Sequence, residues 1–123
     1  MYGNGRQKRH WIYVDDHNRA LYDILANGIL GKVYNIAPSG KSYISNIDIV
    51  RHILKIMKKP KTLIEHVTDR PGHDTSYFLT SSHYCIDSDW KKQLSDTVMW
   101  YTENLSKKAD EEAKDISNTD LVS

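Results

Sequence analysis

Short β-prone runs alternate with helical stripes along this chain, and that alternation most constrains its fold. Trp11, Ile12, Tyr13 and Val14 favour a pleated surface, so residues 10–14 are predicted to form a strand. Asp15 or Asp16 then stands as a natural helix N-cap. Over residues 18–27, Leu21, Ile24 and Leu25 recur at helical spacing, and Gly28 falls where a left-handed C-terminal cap is expected. The unit then repeats. Val33, Tyr34, Asn35 and Ile36 form the centre of a second predicted strand over residues 32–36, which Pro38, Ser39 and Gly40 break. Ser45-Asn46-Ile47-Asp48 reads as a capping box, with Asp48 in place of the usual Glu. The helix it opens is predicted to run to residue 58 or 59, with Ile47, Val50, Leu54 and Met57 on one face and Pro60 just beyond its end. A third strand is placed at residues 63–67, a short helix around 82–87, and a last apolar helix at 97–105 through Val98, Trp100 and Tyr101. This order defines an α/β fold with an at least partly parallel sheet.

Three strands make a poor parallel sheet by themselves, because such sheets need both faces covered and usually more strands. Met1 is followed at once by a dense polar motif, with no lead-in strand or helix. Both features are those expected of a chain cut into. Residues 106–123 are rich in Lys, Asp and Glu without a sizeable apolar face, and read as a charged tail, either frayed helix or disordered. The remaining residues, 1–105, are long enough for one domain with a real core. A net charge of +1 gives no bulk attraction to nucleic acid or to a membrane, and no apolar stretch approaches the ~20 residues of a membrane span. The polar, glycine-rich N-terminus shows no secretory signal. The single Cys85 excludes an intramolecular disulfide, fits a reducing compartment, and reads as a small packed residue; a cytoplasmic location is expected. Six histidines show no i, i+4 pair, so no metal site is expected.

Chemistry concentrates in two segments outside any helical stripe. One is Asp69-Arg70-Pro71-Gly72-His73-Asp74; the other is Tyr2-Gly3-Asn4-Gly5-Arg6-Gln7-Lys8-Arg9. A planar guanidinium beside a Pro-Gly turn suits bidentate recognition of phosphate or carboxylate, and two of them could grip a diphosphate from both sides. Plainer readings stand beside this one. Arg9 could sit in a solvated basic run, and Arg70 could pair only with Asp69 or Asp74. Asn35 could be a strand-end turn residue, His73 a turn histidine, and Tyr2 a disordered terminal residue. Trp11 and Tyr13 read as sheet packing, and the pair Asp15-Asp16 as helix capping rather than acid–base chemistry.

The same segments, with Trp-Ile-Tyr-Val-Asp-Asp-His at 11–17, Arg-Ala-Leu-Tyr at 19–22, Val-Tyr-Asn-Ile at 33–36 and Val-Met-Trp-Tyr at 98–101, carry a resemblance. The chain resembles the C-terminal part of the nucleotide-sugar dehydratases among the extended short-chain dehydrogenases/reductases, the NAD-dependent epimerase/dehydratase family. Its likeness is greatest to the members that take a dTDP-sugar in deoxysugar biosynthesis. The likeness runs from residue 2 to about 105. It implies the last Rossmann strands plus the sugar-nucleotide-binding subdomain, without the N-terminal dinucleotide-binding half. It also implies that Arg9 and Arg70 hold the substrate diphosphate. Asn35, just outside the carboxyl end of a parallel strand, would donate to a phosphate or ribose. His73 would lie beside the diphosphate and Tyr2 near the base.

The rest of the family's equipment is absent from the sequence. Gly3-Asn4-Gly5 has no third glycine at the dinucleotide-loop offset and no strand before it. None of the eight tyrosines is followed four positions later by lysine, the proton-transfer pair of the family. The resemblance therefore implies NAD for the intact family but none held by this chain alone, no catalytic residue, and activity only if another chain supplies the N-terminal half. A homodimer partner is the other association considered. Thr75 and Ser76 replace basic residues of the family pattern, Asp89-Trp90 replaces Gly-Trp, and residues 90–97 are shortened, which is expected to cost the last helix some of its first turns. Two alternatives remain: a non-catalytic nucleotide-binding or protein-interaction module, and a fragment of a sugar-nucleotide epimerase or decarboxylase.

Overall fold

The computed structural model describes residues 1–81, 83–87 and 89–119. Four three-residue strands and three helices follow one another: β1 (Lys8–His10), α1 (Val14–Asn27), β2 (Ile36–Pro38), β3 (Tyr43–Ser45), α2 (Asn46–Ile56), β4 (Tyr84–Ile86) and α3 (Trp90–Thr119). Short 3-10 turns occupy Gly40–Ser42 and Lys61–Leu63. The chain is α/β, as its alternation predicts, but the strands do not join in one sheet. β1 pairs antiparallel with β3, Arg9 opposite Ile44, and β2 pairs parallel with β4, Ala37 opposite Cys85.

The first strand ends sooner than its aromatic run suggests. After His10 the Trp11 amide donates to the Ser42 carbonyl at 3.0 Å and the indole N–H to the Ile44 carbonyl at 3.3 Å. Trp11 and Tyr13 thus lie outside the sheet, and Val14 already begins α1. The N-cap is Tyr13, which makes no side-chain cap bond, rather than Asp15 or Asp16. Both aspartates sit in the first turn, where a carboxylate still complements the helix dipole. Asp16 is buried and takes hydrogen bonds from Arg19 and from Gln93 of α3. Gly28 is extended (φ −70°, ψ 154°), not left-handed. Glycine is needed there for space: a Cβ would stand 2.3 Å from the Ile24 carbonyl oxygen.

The second strand is displaced from residues 32–36 to β2, and Pro38 closes it instead of breaking it. Ser39 N–H donates to Ile86 O at 2.8 Å, so the alternation of the strand turns position 38 away from β4, where a missing N–H costs nothing. Asn35 consequently precedes β2 and stands at its amino end, not at the carboxyl end. The predicted strand at 63–67 is reduced to one parallel bridge between Val67 and Tyr2, because residues 61–63 turn. In place of a helix around 82–87, residues 84–86 form β4, with Cys85 exposed rather than packed; Ser82 lies outside the described residues. The last helix keeps its first turns. It opens at Trp90, where the Asp89 carboxylate accepts the amides of Lys91 and Lys92 at 3.1 and 3.3 Å, and its backbone is helical through Thr119. Positions 120–123 of the charged tail lie outside the described residues.

The capping box holds as read. Ser45 Oγ accepts the Asp48 amide at 3.3 Å and donates to the Asp48 carboxylate at 2.6 Å. α2 ends at Ile56, slightly early, with Met57 as its cap and Lys58 left-handed at φ 52° just before Pro60. The buried apolar set of α2 is Ile47 and Ile49, while Met57 is exposed. With Ala20, Ala37 and Ile44 they form the small core. No helix among the described residues is long and apolar enough to cross a membrane.

Candidate functional site

The N-terminal segment is clamped on both edges. On one side Asn46 N donates to Gln7 O and Ile47 N to Gly5 O, extending the β1–β3 pairing. On the other, Val67 N donates to Met1 O, Gly3 N to Val67 O, Lys8 N to Thr75 O and Tyr77 N to Lys8 O, so residues 67–77 run beside it. Between these anchors lies the turn Arg70-Pro71-Gly72-His73. The His73 amide closes it on the Arg70 carbonyl at 3.2 Å, with Gly72 at φ 71°. Proline second and a left-handed glycine third are what a type II turn demands. The two motifs, sixty residues apart in sequence, are thereby laid side by side.

Arg9 and His73 meet through Arg9 Nη2 and His73 Nε2 at 3.4 Å. Arg9 also donates to the Lys8 carbonyl at 2.8 Å and to the Asp74 carbonyl at 2.9 Å, and lies 4.7 Å above the Tyr77 ring. Arg70 stands 5.1 Å above the ring of Tyr2, which meets His73 edge-on at 6.3 Å. Each guanidinium thus rests on a tyrosine face, an attractive arrangement for a cation. His73 Nδ1 bonds Asp69 Oδ1 at 2.6 Å, and this holds the Asp69 carboxyl below the usual carboxylate range. Asp74 takes the Tyr77 hydroxyl and raises that phenol above its ordinary value.

Four of the five expected residues, Tyr2, Arg9, Arg70 and His73, are joined by these contacts. Asn35 is elsewhere. It lines a cleft of about 360 Å³ with Lys32, Tyr34, Ser81 and His83, and its carbonyl accepts the Ser81 hydroxyl at 2.5 Å. Asp69 and Asp74 belong to the cluster too, as members of the segment already named though not as expected ligand residues, and Gln7 and Tyr77 join it without an expected role. Gln7 was legible, since it lies two residues from Arg9 on an extended segment and so on the same face. Tyr77 carried no such signal, because only the parallel course of residues 75–77 beside β1 brings it to Arg9. Two guanidinium groups in one cluster are a donor set for an oxyanion. The Gly3–Gly5 turn does not fit a pyrophosphate. Its amides are engaged by Val67 O and Tyr2 O, and the space beside its glycines is filled by Asp69 and Met1. No group of three or more His, Cys, Asp or Glu able to hold a metal occurs among the described residues.

Comparison with known proteins shows what the chain is similar to. Residues 1–37 match the model of the NAD dependent epimerase/dehydratase family. A dTDP-glucose 4,6-dehydratase of Escherichia coli is 39% identical over 121 residues, covering 85% of this chain and 33% of the relative. One of Mycolicibacterium smegmatis is 37% identical over 113 residues, covering 86% and 34%. Among solved structures, a dTDP-glucose 4,6-dehydratase from Streptomyces venezuelae with NAD and TYD bound superposes with a TM-score of 0.75 at 30% identity, covering 85% of this chain and 34% of that one. The Bacillus anthracis enzyme in complex with NAD gives 0.73 at 34% identity, with the same coverage. Over 85% of its length the chain is similar to these dehydratases, and its first 37 residues match the model of the NAD dependent epimerase/dehydratase family. It spans about a third of the length of the curated relatives it matches.

Proposed function

We propose that residues 1–105 are the C-terminal, sugar-nucleotide-binding part of a dTDP-glucose 4,6-dehydratase, and that Arg9 and Arg70, with His73 and Tyr2 beside them, hold the diphosphate of a dTDP-sugar. The observation that carries this reading is the contact network Arg9–His73–Tyr2–Arg70, which gathers residues from both motifs into one oxyanion-type donor set. Its support from outside the chain is the relatives' own name and the neighbour solved with TYD. Asn35 is left out of the diphosphate set, because it stands at the amino end of β2 among Lys32, Tyr34 and Ser81.

NAD supplies the hydride acceptor for the dehydration, and this chain has neither the glycine loop to hold it nor a Tyr-x-x-x-Lys pair to move the proton. The chain by itself is therefore expected to bind nucleotide weakly and to turn nothing over, with activity only when the remaining two thirds of the family fold is supplied. Purified chain given dTDP-glucose and NAD should form no 4-keto-6-deoxy product above a buffer blank; measurable turnover would refute this. The binding half of the proposal is tested by calorimetric titration with dTDP. Arg9→Ala and Arg70→Ala should each weaken binding by about three- to tenfold. Arg6→Ala, on an exposed side chain away from the cluster, should leave it unchanged. Equal losses at all three arginines would mean a diffuse positive patch instead of a site.

A further inference from the structure

Of the three groups that hold the Arg9 guanidinium, only one can change its hydrogen-bonding character. The Lys8 and Asp74 carbonyls always accept. His73 Nε2, 3.4 Å from Nη2, accepts only when the ring proton is on Nδ1. Nδ1 stands 2.6 Å from Asp69 Oδ1, a separation that fits a donor facing an anionic acceptor and would be repulsive between two acceptors. The imidazole side chain is only 9% exposed, so water does not compete freely for either nitrogen.

The carboxylate that makes this choice is itself fixed. Oδ2 accepts from Gln7 Nε2 at 2.8 Å and Oδ1 from the Arg70 amide at 2.9 Å; the same Gln7 Nε2 lies 3.4 Å from His73 Nδ1, well beyond the 2.6 Å to the carboxylate that sets the ring's tautomer. Gln7 is buried, and its Oε1 has no partner among the described residues. The amide is therefore turned to serve Asp69 at the expense of its own acceptor. Gly3 closes the other side: a Cβ there would come within 2.8 Å of Asp69 Oδ2.

We infer that Asp69, braced by Gln7, is a positioning residue for Arg9: it selects the Nδ1–H tautomer of His73, whose Nε2 lone pair then helps fix the guanidinium above Tyr77. The consequence for nucleotide binding rests on the proposed function, but the tautomer is decided without ligand. Nitrogen NMR of the histidine-labelled chain should show His73 protonated on Nδ1 and bare on Nε2. A ring protonated on Nε2 alone overturns the inference. Asp69→Ala should shift His73 toward the Nε2–H tautomer and weaken dTDP binding by about threefold, no more than Arg9→Ala does. His73→Ala should cost the same, and the double variant no more than either, because the two act through one contact.

Asp69→Asn is the rescue. Its side-chain carbonyl still accepts from Nδ1–H, and Gln7 can turn its orphaned Oε1 toward the new amide. The tautomer and most of the affinity should survive. Additive losses in the double variant, or a His73 tautomer indifferent to Asp69→Ala, would overturn the inference. If Asp69→Ala does not fold, the wild-type spectrum together with Asp69→Asn decides: loss of the Nδ1–H form in the asparagine variant counts against it. A wild-type ring protonated on Nδ1 in a chain that does not bind dTDP supports the positioning inference and removes the diphosphate reading.

Discussion

The β1–β3–α2 region and the α1–β2–β4 region use similar apolar residues to opposite ends. In the first, Ile44, Ile47 and Ile49 are buried, and a Cβ on Gly5 would meet Met1 Sδ and Ile47 Cβ, so the packing leaves no slack. In the second, the buried members are Ala20 and Ala37, while Leu21, Leu25, Ile29, Leu30 and Val33 are exposed, Leu25 at 84% and Val33 at 87%. The helical stripe of α1 is genuine, yet among the described residues Ile24 is only half covered and Leu21 and Leu25 are left exposed. Periodicity dictates that a helix has an apolar face; whether that face is buried depends on what else is present. The candidate site sits on the packed region, which is why its geometry can be fixed by so small a body.

The largest test of this contrast is to remove matched volume from each region. Ile47→Ala or Ile49→Ala should cost about 2–4 kcal/mol in urea unfolding, a transfer loss plus a cavity. Leu25→Ala should stay within about 0.5 kcal/mol, because its side chain is already in water. Similar losses at both would mean that α1 is covered in solution, and a concentration-dependent melt would then identify a second copy as the cover. A smaller effect separates two left-handed glycines. Gly3 (φ 53°) has Asp69 Oδ2 within 2.8 Å of a built Cβ, whereas Gly31 (φ 78°) has nothing within 4 Å. Gly31→Ala should therefore cost only the backbone strain of about 1 kcal/mol, and Gly3→Ala about 2–3 kcal/mol because the carboxylate must also move. Thermal melts of the two variants compare them directly, and equal shifts would show that Asp69 is free to swing away.

The same division explains what could be read from the sequence. The capping box at Ser45 and the Pro71-Gly72 turn were legible because each is a local device whose residues satisfy one another within four positions. That Arg9 and Arg70 gather around His73 and Tyr2 was suggested by their guanidinium chemistry and implied by the family motifs, since no local rule brings residue 9 to residue 73. The β-prone runs misplaced the first two strands by two residues or more and missed β3 and β4, because strand limits here are set by partners far away in sequence: Ser42 and Ile44 draw Trp11 out of line, and Ile86 fixes Pro38 inside β2. Asp15 and Asp16 looked like caps by residue type. Asp16 instead bonds Gln93, 77 positions on, a tertiary contact that overrides the local preference.

The smallest effect concerns helix starts. α2 begins in the packed region on Ser45, which is 6% exposed and whose hydroxyl both takes the Asp48 amide and donates to its carboxylate. α3 begins beside α1 on Asp89, exposed, accepting two amides. Removing a cap leaves an N–H unsatisfied, and the loss is greater where water cannot replace the partner. Ser45→Ala should thus cost about 1–2 kcal/mol and Asp89→Ala about 0.5–1 kcal/mol. Amide hydrogen exchange at Asp48, Lys91 and Lys92 reads each cap at its own helix. Exchange should rise more at Asp48 after Ser45→Ala than at Lys91 and Lys92 after Asp89→Ala, and both variants are also unfolded in urea to read the global loss. A larger loss for Asp89→Ala than for Ser45→Ala would show that the start of α3, not the β3–α2 junction, is the better-held of the two, and the contrast between the regions would have to be redrawn around α3.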